Sequence, residues 1–203
     1  TFTFGYNDFL SSLMWVRVVQ DFHICDQNKD RSVYPSPRKG MDPVDDVLGR
    51  ELPKSTCDEG WVYQMLDVIS DLSPDFKAVY LDGGVMLSVL VDDRAGAAKI
   101  LNKGLEYYPE DWRLLYRTAY HELFELQNAD SASALLVRAG KRGAPKWVFS
   151  LSAKLLTKLG RAEFAKTILE SVLQRDRTGV YRDRIQNQLN QVNKDLLEGY
   201  QSK

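Results

Sequence analysis

The sequence is short of the side chains on which catalysis usually rests. In 203 residues it has two histidines, His23 and His121, and two cysteines, Cys25 and Cys57. His121-Glu122 is not followed by the second histidine of a zinc-protease helix, and a lone helical histidine serves packing or the surface. The chain holds no GxxxxGK[ST] loop to cradle phosphate, no GxSxG elbow for a nucleophilic serine and no CxxC pair. With 28 Asp and Glu present, carboxylate pairs arise by chance and single out no acid–base couple. We therefore expect a protein that is not an enzyme and needs no cofactor.

Charge of one sign is lacking too. Lys and Arg number 27 against those 28 acids, a net charge of −1, so the whole chain offers no electrostatic argument for nucleic acid or a membrane surface. Apolar stretches such as Val85–Val91 fall far short of the ~20 residues that span a bilayer. The chain starts at Thr1 without a methionine and enters a helical pattern within a few residues. We expect from this that an upstream piece, a signal peptide or an anchor among the options, has been removed, and that any membrane attachment would come through it.

What the chain does have is an internal repeat. Val62, Ala97, Ala132 and Ala165 recur at spacings of 35, 35 and 33 residues. Leu66, Leu101, Leu136 and Leu169 follow four positions later, then Ile69, Gly104, Ala139 and Val172 three after that. Pro74, Pro109 and Pro145 follow within five or six residues. A period near 34 with this apolar triplet marks stacked helical hairpins. With 44% apolar residues there is ample material to bury between them.

The spacing predicts a first helix over 7–22, whose Phe9, Leu13, Val16 and Val19 recur at three- and four-residue steps. Helices follow over 59–72, 76–91, 94–108, 111–127, 130–142, 146–159 and 161–175. A last helix, 179–199, carries Ile185, Leu189, Val192 and Leu196 on one stripe and polar residues elsewhere, as a terminal cap requires. Gly160 stands at the turn of the fourth hairpin, where a positive φ suits glycine. The segment 23–58 holds four of the seven prolines and reads as an insertion inside the first hairpin. The expected organisation is an array over 1–178 with that insertion, and a cap over 179–203.

These positions resemble the tetratricopeptide repeat over about residues 59–176. Gly84, Ala119 and Ala153, then Ala97, Ala132 and Ala165, are the small residues that let paired helices approach. The first repeat departs in having Val62 where a small residue is usual, and the fourth ends in Arg175-Asp176-Arg177 without its proline. The resemblance implies an all-α, right-handed superhelical solenoid of about four hairpins that binds a peptide or partner domain on the first helices of the hairpins. By register it places Leu81, Val85 and Ser88 of the second repeat on that concave surface. The third repeat contributes Arg113, Tyr116, Arg117, Tyr120 and Phe124, and the fourth Trp147, Ser150, Lys154 and Lys158. Such a groove is basic with aromatic walls. Arg113 and Arg117 lie one helical turn apart and resemble half of a carboxylate clamp for an acidic C-terminus. Where the clamp has asparagine this register has Asp82, which would repel a carboxylate or pair with an arginine.

Cys25 and Cys57 stand just inside the ends of the insertion. If the flanking helices pair, the two are brought close, and a disulfide would close a loop of 31 intervening residues, a stabilisation of roughly 3 to 4 kcal/mol. In a reducing cytosol both stay thiols. After Cys25, the run DQNKDRSV presents Asp26, Asn28, Asp30 and Ser32 in the alternation that opens a calcium loop. Arg31 replaces that loop's glycine, and Pro37 its bidentate glutamate, so a polar solvated loop is the competing reading.

The function expected is a non-enzymatic scaffold or adaptor for a protein or acidic peptide. The opening LMWVRVVQ is similar to that of envelope tetratricopeptide proteins, which implies a periplasmic or envelope-associated module. The alternative is a cytosolic adaptor for a regulatory protein such as a small GTPase, and behind it an enzyme borrowing the repeat scaffold.

Overall fold

A computed structural model describes residues 5–21, 38–175 and 179–201. Cys25 and the calcium-loop candidates Asp26, Asn28, Asp30 and Ser32 lie outside the described residues. Among the described residues every regular element is helical and none is a strand, as expected of an all-α chain. The chain packs as two compact units, Thr1–Pro109 with Phe124–Leu126, and Glu110–Leu123 with Gln127–Lys203.

The first unit holds α1 (Asn7–Gln20), α2 (Pro43–Leu48), α3 (Trp61–Leu72), two wide-turned segments π1 (Val79–Gly83) and π2 (Met86–Val91), and α4 (Arg94–Tyr107). α3 buries Val62, Leu66 and Ile69 on one stripe and packs against α1, α4, π1 and π2. The expected 76–91 helix is present but wound with i→i+5 turns over most of its length. Gly84, between the two wide segments, lies so close to α4 that an added Cβ would sit 2.8 Å from Leu101. Tyr80 is fully buried and its hydroxyl donates to the Pro74 carbonyl at 3.0 Å. Burial, then the neighbouring phenols of Tyr107 and Tyr108, push its pKa well above the ordinary 10.0.

Two features of this unit differ from the sequence reading. α1 turns Ser11 and Val18 inward, both fully buried, and leaves Phe9, Leu13 and Val16 exposed at 61%, 53% and 48%. The helix is apolar on nearly every side, so periodicity alone does not choose a face. Small Ser11 permits close approach to α3, and Trp15 meets Phe76 edge-on at 5.7 Å. The insertion also contains a short helix, α2, which the sequence reading did not place. Pro43 occupies its first turn, where a missing N–H is no loss, and the Asp42 carboxylate accepts the Val44 N–H at 3.0 Å. Buried Asp46 on α2 accepts hydrogen bonds from Arg38 and Arg50.

The second unit holds α5 (Trp112–Phe124, its last residue counted with the first unit), α6 (Ala129–Lys141), α7 (Trp147–Lys158), α8 (Ala162–Arg175) and α9 (Arg182–Gln201). α7 lies against α6, α8 and α9, and α8 also packs on α9. Ala132, Leu136 and Ala139 of α6 and Ala165, Leu169 and Val172 of α8 are buried, as the repeat register anticipates. α9, packed on α7 and α8, buries Ile185, Leu189 and Val192.

The repeat is visible in the backbone as well. Positive φ recurs at Glu59, Asp92, Gln127 and Gly160, each just before a helix that begins two residues on. Three of these positions are not glycine. Asp93 and Asn128, directly after two of them, cap the following helices by accepting the Gly96 and Ser131 N–H groups at 2.8 and 3.2 Å.

Candidate functional site

The residues expected to form a binding surface are divided between the units. In the first, Leu81 is half-buried on π1, Val85 is exposed, and Ser88 is buried in π2. Asp82 is exposed on π1, and Phe124 is half-buried at the end of α5. The remaining candidates fall in the second unit, on α5 and α7.

α5 starts where the Asp111 carboxylate accepts the Arg113 and Leu114 N–H groups, at 2.8 and 3.2 Å. Its inward face carries Leu114, Leu115, Thr118 and Ala119, all buried. That packing leaves Arg113 and Tyr120 exposed, Tyr120 at 49%, with Tyr116 and Arg117 half-buried between them. On α7 the buried Val148, Phe149, Ala153 and Leu156 fix the helix. Half-buried Trp147 and Lys154, and exposed Lys158, occupy its other sides. Ser150, in the same register, is buried.

Tyr116 and Trp147 are brought into direct contact, edge to face, with ring centres 5.6 Å apart. Such a pair contributes about 0.5–1.5 kcal/mol beyond the area it buries. A third group joins them from α9: the Arg184 guanidinium carbon lies 5.9 Å from the Trp147 ring centre. Arg113 is drawn over Trp112 on its own helix, 5.2 Å from the ring centre. The surface thus consists of aromatic rings with guanidinium groups laid against them, an arrangement suited to apolar contact and carboxylate recognition together. Arg184 and Trp112 were missed from the sequence. Arg184 belongs to the helix read as a cap, and Trp112 precedes the repeat register by one position.

Among the described residues no three His, Cys, Asp or Glu side chains are grouped to hold a metal ion, and no helix is long and apolar enough to cross a membrane. Compared with protein-family models, with curated proteins and with solved structures, the chain matches none.

Proposed function

We propose that this chain is a non-enzymatic interaction module, a right-handed solenoid of tetratricopeptide-like hairpins capped by α9, which holds a partner protein or an acidic peptide. The reading of the repeat is supported by the coincidence of two periods. The buried apolar triplets and the positive-φ turn residues both recur at 33 to 35 residues, and only the first period was visible in the sequence. The reading of the function rests on one observation, the contact of Tyr116 with Trp147 under the guanidinium of Arg184. Tyr, Trp and Arg are the side chains that dominate binding hot spots, because rigid rings and planar cations lose little entropy on contact.

Selection from a displayed library of random peptides tests this. Acidic sequences with an aromatic or aliphatic residue are the expected yield. Arg113→Ala/Arg117→Ala should then weaken the selected peptide at least about tenfold, since each charge-assisted hydrogen bond contributes roughly 1.5–3 kcal/mol. A library that enriches nothing, or a double variant that binds as tightly as the parent, would remove this reading.

Cys57 is buried, and its N–H donates to the Asp92 carbonyl at 3.1 Å. We assign it a disulfide to Cys25 and, with it, an oxidising location such as the bacterial envelope. Protein taken from its native source and treated with an alkylating agent under denaturing, non-reducing conditions should label at neither cysteine. Labelling at both would place the chain in a reducing compartment.

A further inference from the structure

The second unit carries a cleft of about 860 Å³ that shares no residue with the surface described above. Its walls are the C-terminal half of α6, the segment leading into α7, and α8. Five cationic side chains line it, Arg138, Lys141, Arg142, Lys146 and Arg175, against one carboxylate, Glu110, which is already ion-paired with Arg142. In a chain of 27 bases and 28 acids this is a local concentration of charge. Like charges gathered on a fold oppose its compactness unless something answers them.

Part of the answer is internal. Arg138 and Lys141 lie in the last turn of α6 and Arg175 in the last turn of α8, where the negative ends of the helices favour cations. Lys146 is not explained in that way. It stands at the N-cap of α7, the positive end of a 12-residue helix whose first turn has no acidic residue, with its ammonium 5.9 Å from the Phe149 ring centre. A cation placed there adds to the positive pole and calls for an anion from outside.

Between the cations the cleft is apolar. Buried Phe149, Ile168 and Val172 line it, and Phe164 projects beside them with 55% of its surface exposed. Gly140 lets Phe149 pack directly on α6, since a Cβ there would lie 2.4 Å from the Phe149 ring. A free phosphate would answer the charge and leave this apolar lining wet. A nucleic-acid backbone or a flat lipid surface would do the same.

We propose that this cleft docks an acidic amphipathic segment of a partner protein. Its apolar side chains enter against Phe164, Ile168 and Val172, and its carboxylates meet Lys141, Lys146 and Arg175. The volume accepts a few large side chains, within the roughly 300–1,000 Å³ of ordinary binding clefts.

The test uses the full chain and a fluorescent synthetic peptide of Leu and Glu with helical spacing. Companion probes are the same peptide with Lys for Glu, one with Ser for Leu, a single-stranded oligonucleotide and anionic vesicles. The Leu/Glu peptide should bind, and the other four probes should bind at least about tenfold more weakly. Lys141→Glu/Arg175→Glu should weaken it about tenfold or more, and Phe164→Ala about fivefold. All three positions are exposed, and circular dichroism should show the parent's helix content. In the Arg113→Ala/Arg117→Ala background, where the other acidic-peptide surface is removed, Lys141→Glu/Arg175→Glu should still weaken the Leu/Glu peptide about tenfold or more, so that failure of one surface is told apart from failure of the other. The proposal fails if the Leu/Glu peptide does not bind, or if Lys141→Glu/Arg175→Glu leaves its affinity unchanged. It also fails if the Ser-containing peptide, the oligonucleotide or the vesicles bind as tightly.

Discussion

Asp93 accepts the backbone N–H of Gly60 at 3.0 Å, and so ties the start of α3 to the start of α4. The same buried carboxylate accepts the Glu59 N–H at 3.1 Å and caps α4 through Gly96 at 2.8 Å. One side chain thus satisfies backbone donors at the entrances of two helices a full repeat apart.

Asp93→Ala should therefore cost more than an ordinary lost cap. A single N-cap is worth about 1 kcal/mol, and stranding further donors in a buried turn adds about 1–3 kcal/mol. We expect about 3 kcal/mol by urea denaturation, with Asp93→Asn between that and the parent because its amide oxygen still accepts. A loss below about 1 kcal/mol for Asp93→Ala would show that water takes over the three donors.

How much of this was legible in the sequence differs from element to element, for physical reasons. Leu66, Leu101, Leu136 and Leu169 were readable because a repeat displays the same burial four times, and all four are buried. α1 was readable as a helix but not in its facing, since Phe9, Leu13 and Val16 compete with Met14, Trp15 and Val18 for the interior. α2 was hidden because a six-residue helix leaves no period to detect, only the Asp42-Pro43 start signal. The wide turns of π1 and π2 have no sequence signature. Arg113, Tyr116 and Trp147 were found by register, whereas the Arg184 contact and the α6–α8 cleft depend on which helix ends meet in space. A count of bases and acids averages that charge to −1.

Gly84 and Leu101 should prove strongly coupled. A Cβ at position 84 would stand 2.8 Å from Leu101 Cγ and Cδ2, and Leu101 is itself buried. Gly84→Ala alone should destabilise by about 1–3 kcal/mol through overpacking, and Leu101→Ala alone by about 2–5 kcal/mol through the cavity it leaves. In the double variant the new methyl occupies part of that cavity, so the combined loss should fall short of the sum by at least about 1 kcal/mol. Simple additivity would mean that the helices move apart instead.

Lys103 bridges α3 and α4, with its ammonium 2.7 Å from Asp67 and 2.5 Å from Asp71. Burial pulls its pKa down, but the hydrogen bonds to those carboxylates outweigh it and leave the pKa above the ordinary 10.5. A raised folded-state pKa stabilises fully below the unfolded value, and that contribution is lost as pH rises through the folded one. Lys103→Met should cost about 1 kcal/mol or less at neutral pH, because Asp71 is 66% exposed and solvent screens the pair. The difference between parent and variant should be constant through the neutral range and shrink once pH passes 10.5. A gap that widens at high pH would reverse the assigned sign.

The four positive-φ turns offer a comparison internal to the chain. Gly160, at φ +75°, has open space around the position of a Cβ, so Gly160→Ala introduces no clash and reports the backbone alone. An L-residue in this region costs about 1–2 kcal/mol, of which the lower chain entropy of unfolded alanine returns about 0.5–1 kcal/mol. Gly160→Ala should then destabilise by about 1 kcal/mol. Gln127, at φ +54° in the corresponding turn, is the reverse experiment, and Gln127→Gly should stabilise by roughly 0.5 kcal/mol. At the other two positions the turn is also held by hydrogen bonds, the Glu59 N–H to Asp93 and the Thr56 N–H to the Asp92 carboxylate. Opposite signs at 160 and 127 in urea denaturation are the expected outcome. If Gln127→Gly destabilises instead, the glutamine side chain contributes more to its turn than its backbone costs.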